Sequence, residues 1–465
     1  MKTTSWALFT YPVMDIKAAE ALLNRRAAEG WTLDRVAWGC FARLVPAQAP
    51  EVWAVDWSDG AHLEREDYLA LCADAGWTLV QKVGAFNLYK APIGTPRLCE
   101  LAQGKKHVVI ITSDHTRPVP SRITMPLLLE EVRRGNPEAE ISLLIATGMH
   151  RPTTEVELRA RYGDEIVDRE NIVVHKAMVK EDMVFFGTLP SGGELWLNRL
   201  IKESDLVVAE GFIEPHFFAG FSGGRKAILP GVASAKTVLY NHNARFLQSP
   251  HARQGSLDEN PIHKDMIFAA QQAGLAFILN VIIDADKKVI AAFAGDHEQA
   301  HRTGCAQCEA MTRVEKVVSD IAITSNGGYP LDQNVYQAVK GMNAAESCVR
   351  RDGAVIMCAA LDDGHGGEEF YKWFAERPDA AAVSRDIESM PPERTHMDQW
   401  EAQILARVMC KATCWMVTGK QNRQMVETMH FRWAPDVDTA LAQAAELMGE
   451  NSTITVIPDG VGVIV

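Results

Sequence analysis

His107-Val108-Val109-Ile110-Ile111-Thr112-Ser113-Asp114 is the stretch that decides how this chain folds. A short apolar run that stops abruptly in polar residues marks a strand buried on both faces, which has no solvent side to alternate toward. The same texture returns at Ile141-Ser142-Leu143-Leu144-Ile145-Ala146 before Thr147-Gly148, and at Asp205-Leu206-Val207-Val208-Ala209-Glu210 before Gly211. It returns again at Ile321-Ala322-Ile323-Thr324 before Ser325-Asn326-Gly327-Gly328. Helical stretches such as Met125 to Arg134 lie between these runs. Apolar strands alternating with helices predict a parallel sheet covered on both faces, and ligands of such sheets gather beyond the carboxyl ends of the strands.

A fresh strand follows a boundary near residues 312–317, and Gly353-Ala354-Val355-Ile356-Met357 and Thr453-Ile454-Thr455-Val456-Ile457 continue the pattern. The expected fold class is therefore α/β, with two α/β lobes, residues 93–314 and 315–465, facing a shared cleft. Residues 1–92 read differently, as a small α+β module. They carry an internal echo, Ala28-Glu29-Gly30-Trp31-Thr32-Leu33 and Asp74-Ala75-Gly76-Trp77-Thr78-Leu79, in which Gly30 and Gly76 stand just past a helix and Trp-Thr-Leu starts a strand. Val52-Trp53-Ala54-Val55-Asp56-Trp57 is a further alternating strand. With no cluster of titratable groups at catalytic spacing, this module reads as a docking or regulatory appendage.

Composition excludes several classes of function. Hydrophobic content of 47% and charged content of 23% fit an ordinary globular protein. A net charge of −13 argues against nucleic acid and anionic membranes as partners, since both require a basic footprint. No segment approaches the roughly 18 uninterrupted apolar residues of a membrane helix. The first residues, broken by Pro12 and Asp15, do not form a signal peptide. The 9 cysteines, an odd number, fit reduced thiols in a cytoplasm. Cys305 and Cys308 form a lone CxxC near His301, best read as two helix positions and not as a zinc site.

Five clusters stand after the strand ends. Ser113-Asp114-His115-Thr116-Arg117-Pro118 holds an arginine in a proline-stiffened loop, where its planar fork suits a carboxylate or phosphate, or an ion pair that staples the loop. Thr147-Gly148-Met149-His150-Arg151-Pro152-Thr153 places His150 at a glycine turn. Glu214-Pro215-His216-Phe217-Phe218-Ala219-Gly220-Phe221-Ser222-Gly223-Gly224-Arg225-Lys226 is the most informative. It resembles a phosphate-cradling loop but lacks the spacing of a nucleotide-hydrolysing one, with Ala227 where a magnesium-binding hydroxyl would stand. His216, ahead of two phenylalanines, suits a base in a partly dry pocket. Asn241-His242-Asn243 offers an imidazole to nickel, copper or zinc, although one histidine needs further donors. In Tyr336-Gln337-Ala338-Val339-Lys340, Gln337 and Lys340 share a helix face. The inventory suggests a small carboxylate substrate and a nucleotide-like metal cofactor, without revealing which.

These motifs, together with Asp398-Gln399-Trp400, resemble the lactate racemase family of nickel-pincer enzymes, from about Pro92-Ile93-Gly94 to near the C terminus. The resemblance makes the cleft between the lobes a cofactor cleft. It implies a nickel-pincer nucleotide (nickel pyridinium-3,5-bisthiocarboxylic acid mononucleotide), with Lys226 as the lysine that can join it covalently and His242 as the protein's nickel ligand. Asp114, Ser222, Gly223 and Gly224 are expected beside that cofactor. His150 and His216 match the paired acid/base histidines, and Arg117, Gln337, Lys340, Tyr336 and Trp400 match substrate-binding positions. The implied activity is racemisation or epimerisation of a 2-hydroxy acid by reversible hydride transfer, in the cytoplasm, with cofactor-synthesis enzymes as partners. A sugar-acid epimerase or redox enzyme using the same cofactor stays open, as does a hydroxy-acid sensor that does not turn over. The sequence departs from the family at its start, where the tryptophan-rich module replaces the usual leading stretch.

Overall fold

A computed structural model describes residues 93–284 and 286–465 throughout and, before them, residues 5–8, 22–27, 31–37, 41–46, 53–57, 78–83 and 86–90. The first lobe is built on β1 (His107–Ser113), β2 (Glu140–Ala146), β3 (Asn171–Val174), β4 (Leu206–Phe212), β5 (Leu275–Ile283) and β6 (Val289–Gly295). Their order across the sheet is β6-β5-β4-β1-β2-β3. All neighbours pair parallel except β5 and β6. The chain winds outward from β1 to β3, then returns to the other side of β1 at β4. The resulting crevice at the ends of β1 and β4 is where such sheets bind ligands.

Alternation along the strands divides the core in two. Val108 and Ile110 point into one cluster with Met125, Leu128 and Val132 of the helix Ser121–Gly135. Val109 and Ile111 point into the other, with Leu144, Ala209 and Ile278. Both faces of β1 are thus fully buried, which is why its sequence is continuously apolar.

The second lobe contains β7 (Ser319–Ser325), β8 (Val349–Cys358), β9 (Ala412–Val417), β10 (Arg432–Ala434) and β11 (Ile454–Ile457), all parallel, in the order β10-β9-β8-β7-β11. Here the reversal lies between β7 and β11. The helix Val335–Cys348 follows β7, its first turn closed by Asn334, whose side chain accepts from the Gln337 amide at 2.9 Å. The helix Gln399–Lys411 lies beside it and leads into β9. Two α/β lobes are therefore present, and one apolar cluster runs through both.

In the leading module, Ser5–Leu8, Phe41–Pro46 and Trp31–Ala37 form one antiparallel sheet, and Trp53–Trp57, Phe86–Lys90 and Thr78–Val83 form another. In each sheet the last strand of the trio lies in the middle. The register shifts between Leu33 and Arg35 in one sheet and between Leu79 and Gln81 in the other, at matching positions of the Trp-Thr-Leu echo. Gly30 and Gly76 lie outside the described residues.

Candidate active site

β1 runs straight into the first cluster. Asp114 is buried, and its Oδ2 accepts a 2.7 Å hydrogen bond from His150 Nδ1. Oδ1 accepts from the Thr116 amide at 3.1 Å and the Thr116 hydroxyl at 2.6 Å. Burial alone would raise the Asp114 pKa, but the bonds from His150 and Thr116 and the Arg117 charge hold it below its ordinary value. An ionised Asp114 places the hydrogen of His150 on Nδ1, so the lone pair sits on Nε2. The imidazole itself is exposed at the rim. Arg117 is half-buried, its guanidinium reaching back to the Thr116 hydroxyl at 3.3 Å.

β4 delivers the third cluster. His216 Nδ1 accepts from the Ala219 amide at 3.2 Å, so the ring hydrogen belongs on Nε2, which lies 3.2 Å from Lys226 Nζ. A neutral imidazole with that tautomer donates to Lys226 only if the amine is uncharged. The electrostatics agree. Burial first, then the charges of Arg117 and Lys340 and that of Lys226 whenever its amine is protonated, hold the His216 pKa well below its usual value. Burial, Arg225 and Arg117 do the same to Lys226. An uncharged lysine amine is a nucleophile. The ring stacks on Phe217 with centroids 4.9 Å apart and meets the edge of Phe218 at 4.6 Å.

The glycine run is shaped by its own contacts. The Ser222 hydroxyl donates to the Phe212 carbonyl at 2.8 Å and accepts from the Glu214 amide at 2.9 Å. The Gly224 amide donates to Asn280 Oδ1 at 2.7 Å. Gly223 has φ +77°, and a Cβ there would fall 2.6 Å from Asn280 Oδ1. Ser222 and the Gly224 amide are thus bonded within the loop and to β5. Beneath them Arg225 is wholly buried, donating to the carbonyls of Ala219 at 2.6 Å and Phe221 at 2.8 Å and to His263 Nδ1 at 2.9 Å. This guanidinium fixes the turn that aims Lys226.

His242 ends the helix Ala235–Asn241. Its Nδ1 donates to the Val238 carbonyl at 3.0 Å, which leaves the Nε2 lone pair free. Burial, with a smaller effect from Lys226 when that amine is protonated, pushes its pKa down to about 3, so the ring is neutral and able to ligate a metal. Phe218 touches both partners: its ring centroid is 5.2 Å from that of His242 and 5.8 Å from Lys226 Nζ. Among the described residues no group of three or more His, Cys, Asp and Glu side chains is placed to hold a metal ion. A metal at His242 would need donors that are not protein side chains.

The second lobe closes the site. Trp400 packs on His242 with centroids 5.2 Å apart, and its Nε1 donates to the Tyr336 hydroxyl at 3.2 Å. That hydroxyl donates to Asp398 Oδ1 at 3.3 Å. Lys340 Nζ donates to Gln337 Oε1 at 2.6 Å. The charges of Arg117, Lys340 and Lys226 all bear on the Glu214 carboxyl, yet burial still raises its pKa. Arg117, Lys226, His216, His242, Tyr336, Gln337, Lys340 and Trp400 therefore meet between the lobes, with the Asp114–His150 pair at one edge. Cys305 and Cys308 lie apart, buried on the helix Gln299–Thr312 against Ile213 and Phe221.

Two charged residues escape sequence reading. Arg161 donates to the carbonyls of Asp114 at 2.6 Å and Val119 at 3.3 Å, and also to that of Arg117, clamping the first cluster from behind. In the helix Glu155–Tyr162 it has the look of a surface arginine, and no local signal marks it. Glu401, next to Trp400, is wholly buried.

Comparison with known proteins covers the same region. Residues 85–255 match the model of the lactate racemase N-terminal domain and residues 314–465 that of the lactate racemase C-terminal domain. The chain is 54% identical to lactate racemase of Thermoanaerobacterium thermosaccharolyticum and 50% identical to that of Lactiplantibacillus plantarum. Each match spans 80% of this chain and 88% of the relative. The structure of the Thermoanaerobacterium lactate racemase apoprotein superimposes with a TM-score of 0.80, covering 80% of this chain and 89% of that one. A protein from Thermotoga maritima, 19% identical, shares the fold with a TM-score of 0.59.

Proposed function

The chain belongs to the lactate racemase family and is an isomerase acting on a hydroxy acid; from that premise we propose that it interconverts the enantiomers of lactate or a close 2-hydroxy acid, using a nickel-pincer nucleotide held by Lys226 and His242. The observation that carries this reading is the convergence of His216, Lys226 and His242 around Phe218. The donor set suits the cofactor. His242 offers one neutral nitrogen, which leaves the remaining metal positions to ligands the cofactor brings, and Lys226 offers an uncharged amine for covalent attachment.

When bound, the pincer ring supplies a hydride acceptor, so the hydrogen on the hydroxyl-bearing carbon need not leave as a proton. The residues then divide the work. Arg117 and Lys340 grip the substrate carboxylate from opposite lobes and hold the flat 2-oxo acid while it turns. His150, oriented by Asp114, presents Nε2 to take the hydroxyl proton of one enantiomer. His216 serves the other. Its ring hydrogen must first move to Nδ1, at the expense of the Ala219 contact, before Nε2 can accept. Phe217, Phe218 and Trp400 keep water from the reacting carbon.

The enzyme would work in the cytoplasm beside the enzymes that make its cofactor. Its acidic surface gives nucleic acid no purchase, and among the described residues no helix is long and apolar enough to cross a membrane. The test is chiral analysis of D- and L-lactate, malate and 2-hydroxyglutarate with cofactor-loaded protein. Racemisation of one of them is expected. Tight binding of one without turnover of any would replace the enzyme with a sensor.

A further inference from the structure

β1 and β4 pair through their backbones from Val108 with Leu206 as far as Ile111 with Ala209. One residue further on, a side-chain rung takes the place of the ladder: the Thr112 hydroxyl donates to Glu210 Oε1. Beyond this rung the two strands part, β1 into the loop that carries Asp114 and Arg117, β4 toward the turn that carries His216. Glu210 is buried, and its hydrogen-bond partners among the described residues are three hydroxyls. Oε1 accepts from Ser121 at 2.5 Å as well as from Thr112, and Oε2 accepts from Thr124 at 2.5 Å.

Thr112 stands before the loop, and Ser121 follows it as the first residue of the helix Ser121–Gly135. One carboxyl oxygen thus receives both ends of residues 113–120. Thr112, its hydrogen given to Glu210, accepts from the Tyr162 hydroxyl at 2.7 Å. Ser121 accepts from Arg161 Nη1 at 3.4 Å. Arg161 and Tyr162 end the helix Glu155–Tyr162, so the arginine that holds the loop's carbonyls is tied to the hydroxyls that hold its ends.

Packing does not call for a carboxyl at this place. Val208, two residues earlier on the same face of β4, lies among Val108, Ile110, Met125 and Leu128. An apolar side chain at 210 would extend that cluster and avoid the cost of burying a charge. It could not set direction. A fully satisfied polar network does, and here it fixes where the loop leaves the sheet and where it returns.

We propose that Glu210 is a positioning residue: its carboxyl fastens both ends of the Asp114–Arg117 loop to β4, and so holds Arg117 and the Asp114–His150 pair in place relative to His216. This role rests on the reading of Arg117, His150 and His216 as substrate-binding and proton-transfer groups.

Ser121→Ala and Thr124→Ala test it, because each removes one hydroxyl from the same carboxyl, the first at the end of the loop and the second within the helix. Both should lower Tm. In cofactor-loaded protein only Ser121→Ala should lower kcat/KM for the hydroxy acid, by roughly tenfold, while Thr124→Ala should match wild type. Equal kcat/KM in the two variants would overturn the proposal. Glu210→Leu should behave as Ser121→Ala does, and Glu210→Gln, which keeps an oxygen for the two loop hydroxyls, should stay closer to wild type. If Glu210→Leu does not fold, the serine and threonine variants carry the test. A second readout needs no cofactor. In full-length protein with isotope-labelled histidine, nuclear magnetic resonance should show His150 with its hydrogen on Nδ1 in wild type and Thr124→Ala, and as mixed tautomers in Ser121→Ala. His150→Gln assigns the signals. If wild type racemises no acid, the reading of the reaction has failed by itself, and the tautomer decides alone. A change confined to Ser121→Ala would then uphold Glu210 as the anchor of the loop, and no change would overturn it.

Discussion

Asp114 and Ala219 decide which nitrogen each histidine presents. The carboxylate draws the hydrogen of His150 to Nδ1, and the backbone amide keeps the hydrogen of His216 on Nε2. Asp114→Asn keeps the shape but permits the wrong tautomer, so kcat should fall by a factor on the order of 100 or more with KM little changed. Steady-state kinetics of loaded enzyme will check this, and a wild-type kcat would remove Asp114 from catalysis. Stability gives a second check, with a definite sign. The folded pKa of Asp114 is depressed, so its contribution is present above the unfolded value near 4 and is lost as pH falls through the folded value. Denaturant titration should therefore find Asp114→Asn less stable than wild type at pH 7, with the gap closing in more acid solution. His216→Ala should abolish racemisation while nickel analysis still finds the metal, because His242 and Lys226 are untouched. Of the proposed site, Asp114, Arg117, His150 and His216 were legible because each stands in a run after a strand end. His242, Lys340 and Trp400 lie at or within helices and were legible only through the motifs that hold them. Arg161 and Glu401 were not, because a charged side chain inside a helix has the pattern of a solvated one until its neighbours in space are known.

The loop from Ser113 to Val119 shows how an element far in sequence sets a site. It carries Asp114 and Arg117 but has little internal structure, and Arg161 holds three of its carbonyls. Arg161→Met would leave the Arg117 carbonyl without a donor, while those of Asp114 and Val119 keep the amides of Arg117 and Ser121, at a cost of about 1–3 kcal/mol. The loosened loop should raise KM for the hydroxy acid, since on the proposed reading Arg117 grips the substrate, and lower kcat too, since the same loop carries the Asp114 that orients His150. Melting curves and kinetics together test this, and a lower Tm with unchanged KM would confine Arg161 to stability. Strands were legible at this scale where a continuously apolar run stops in polar residues, as in β1, β2, β4, β7 and β8, but the equally apolar β5 was not among them. β3 was not, because its four residues are only half-buried at a sheet edge. Nor was the hairpin Met183–Thr188 with Glu194–Asn198, whose pattern is interrupted by a register shift beyond Phe185. Sequence periodicity also says nothing of which helices lie side by side, and the Arg407–Glu346 pair between the helices Gln399–Lys411 and Val335–Cys348 depends on that.

For the molecule as a whole, the proposed function requires that Arg117 of one lobe and Lys340 of the other hold one small carboxylate within an acidic chain. The C-terminal tail is one of the ties between the lobes. Asp459 bridges to Asn326 beyond β7, and the Gly460 amide bonds to Ser325. The tail then crosses to the first lobe, where the Val461 carbonyl accepts from Gln254 at 3.2 Å. Ile464 exchanges backbone bonds with Thr312 and Val314 and buries its side chain with Ile213 and Phe221, just behind the turn that carries His216. Ile464→Ala should cost about 2–5 kcal/mol through the cavity it leaves. It should also raise KM several-fold, because the cavity opens where the tail pins one lobe to the other. Phe293→Leu, in the same cluster but on β6 of the first lobe, separates the two effects. It should lower stability with KM unchanged. If both variants move KM alike, the packing beneath the His216 turn governs substrate affinity and the tail has no part in registering the lobes. If only Ile464→Ala moves it, the relative placement of Arg117 and Lys340 is set by the last residues of the chain.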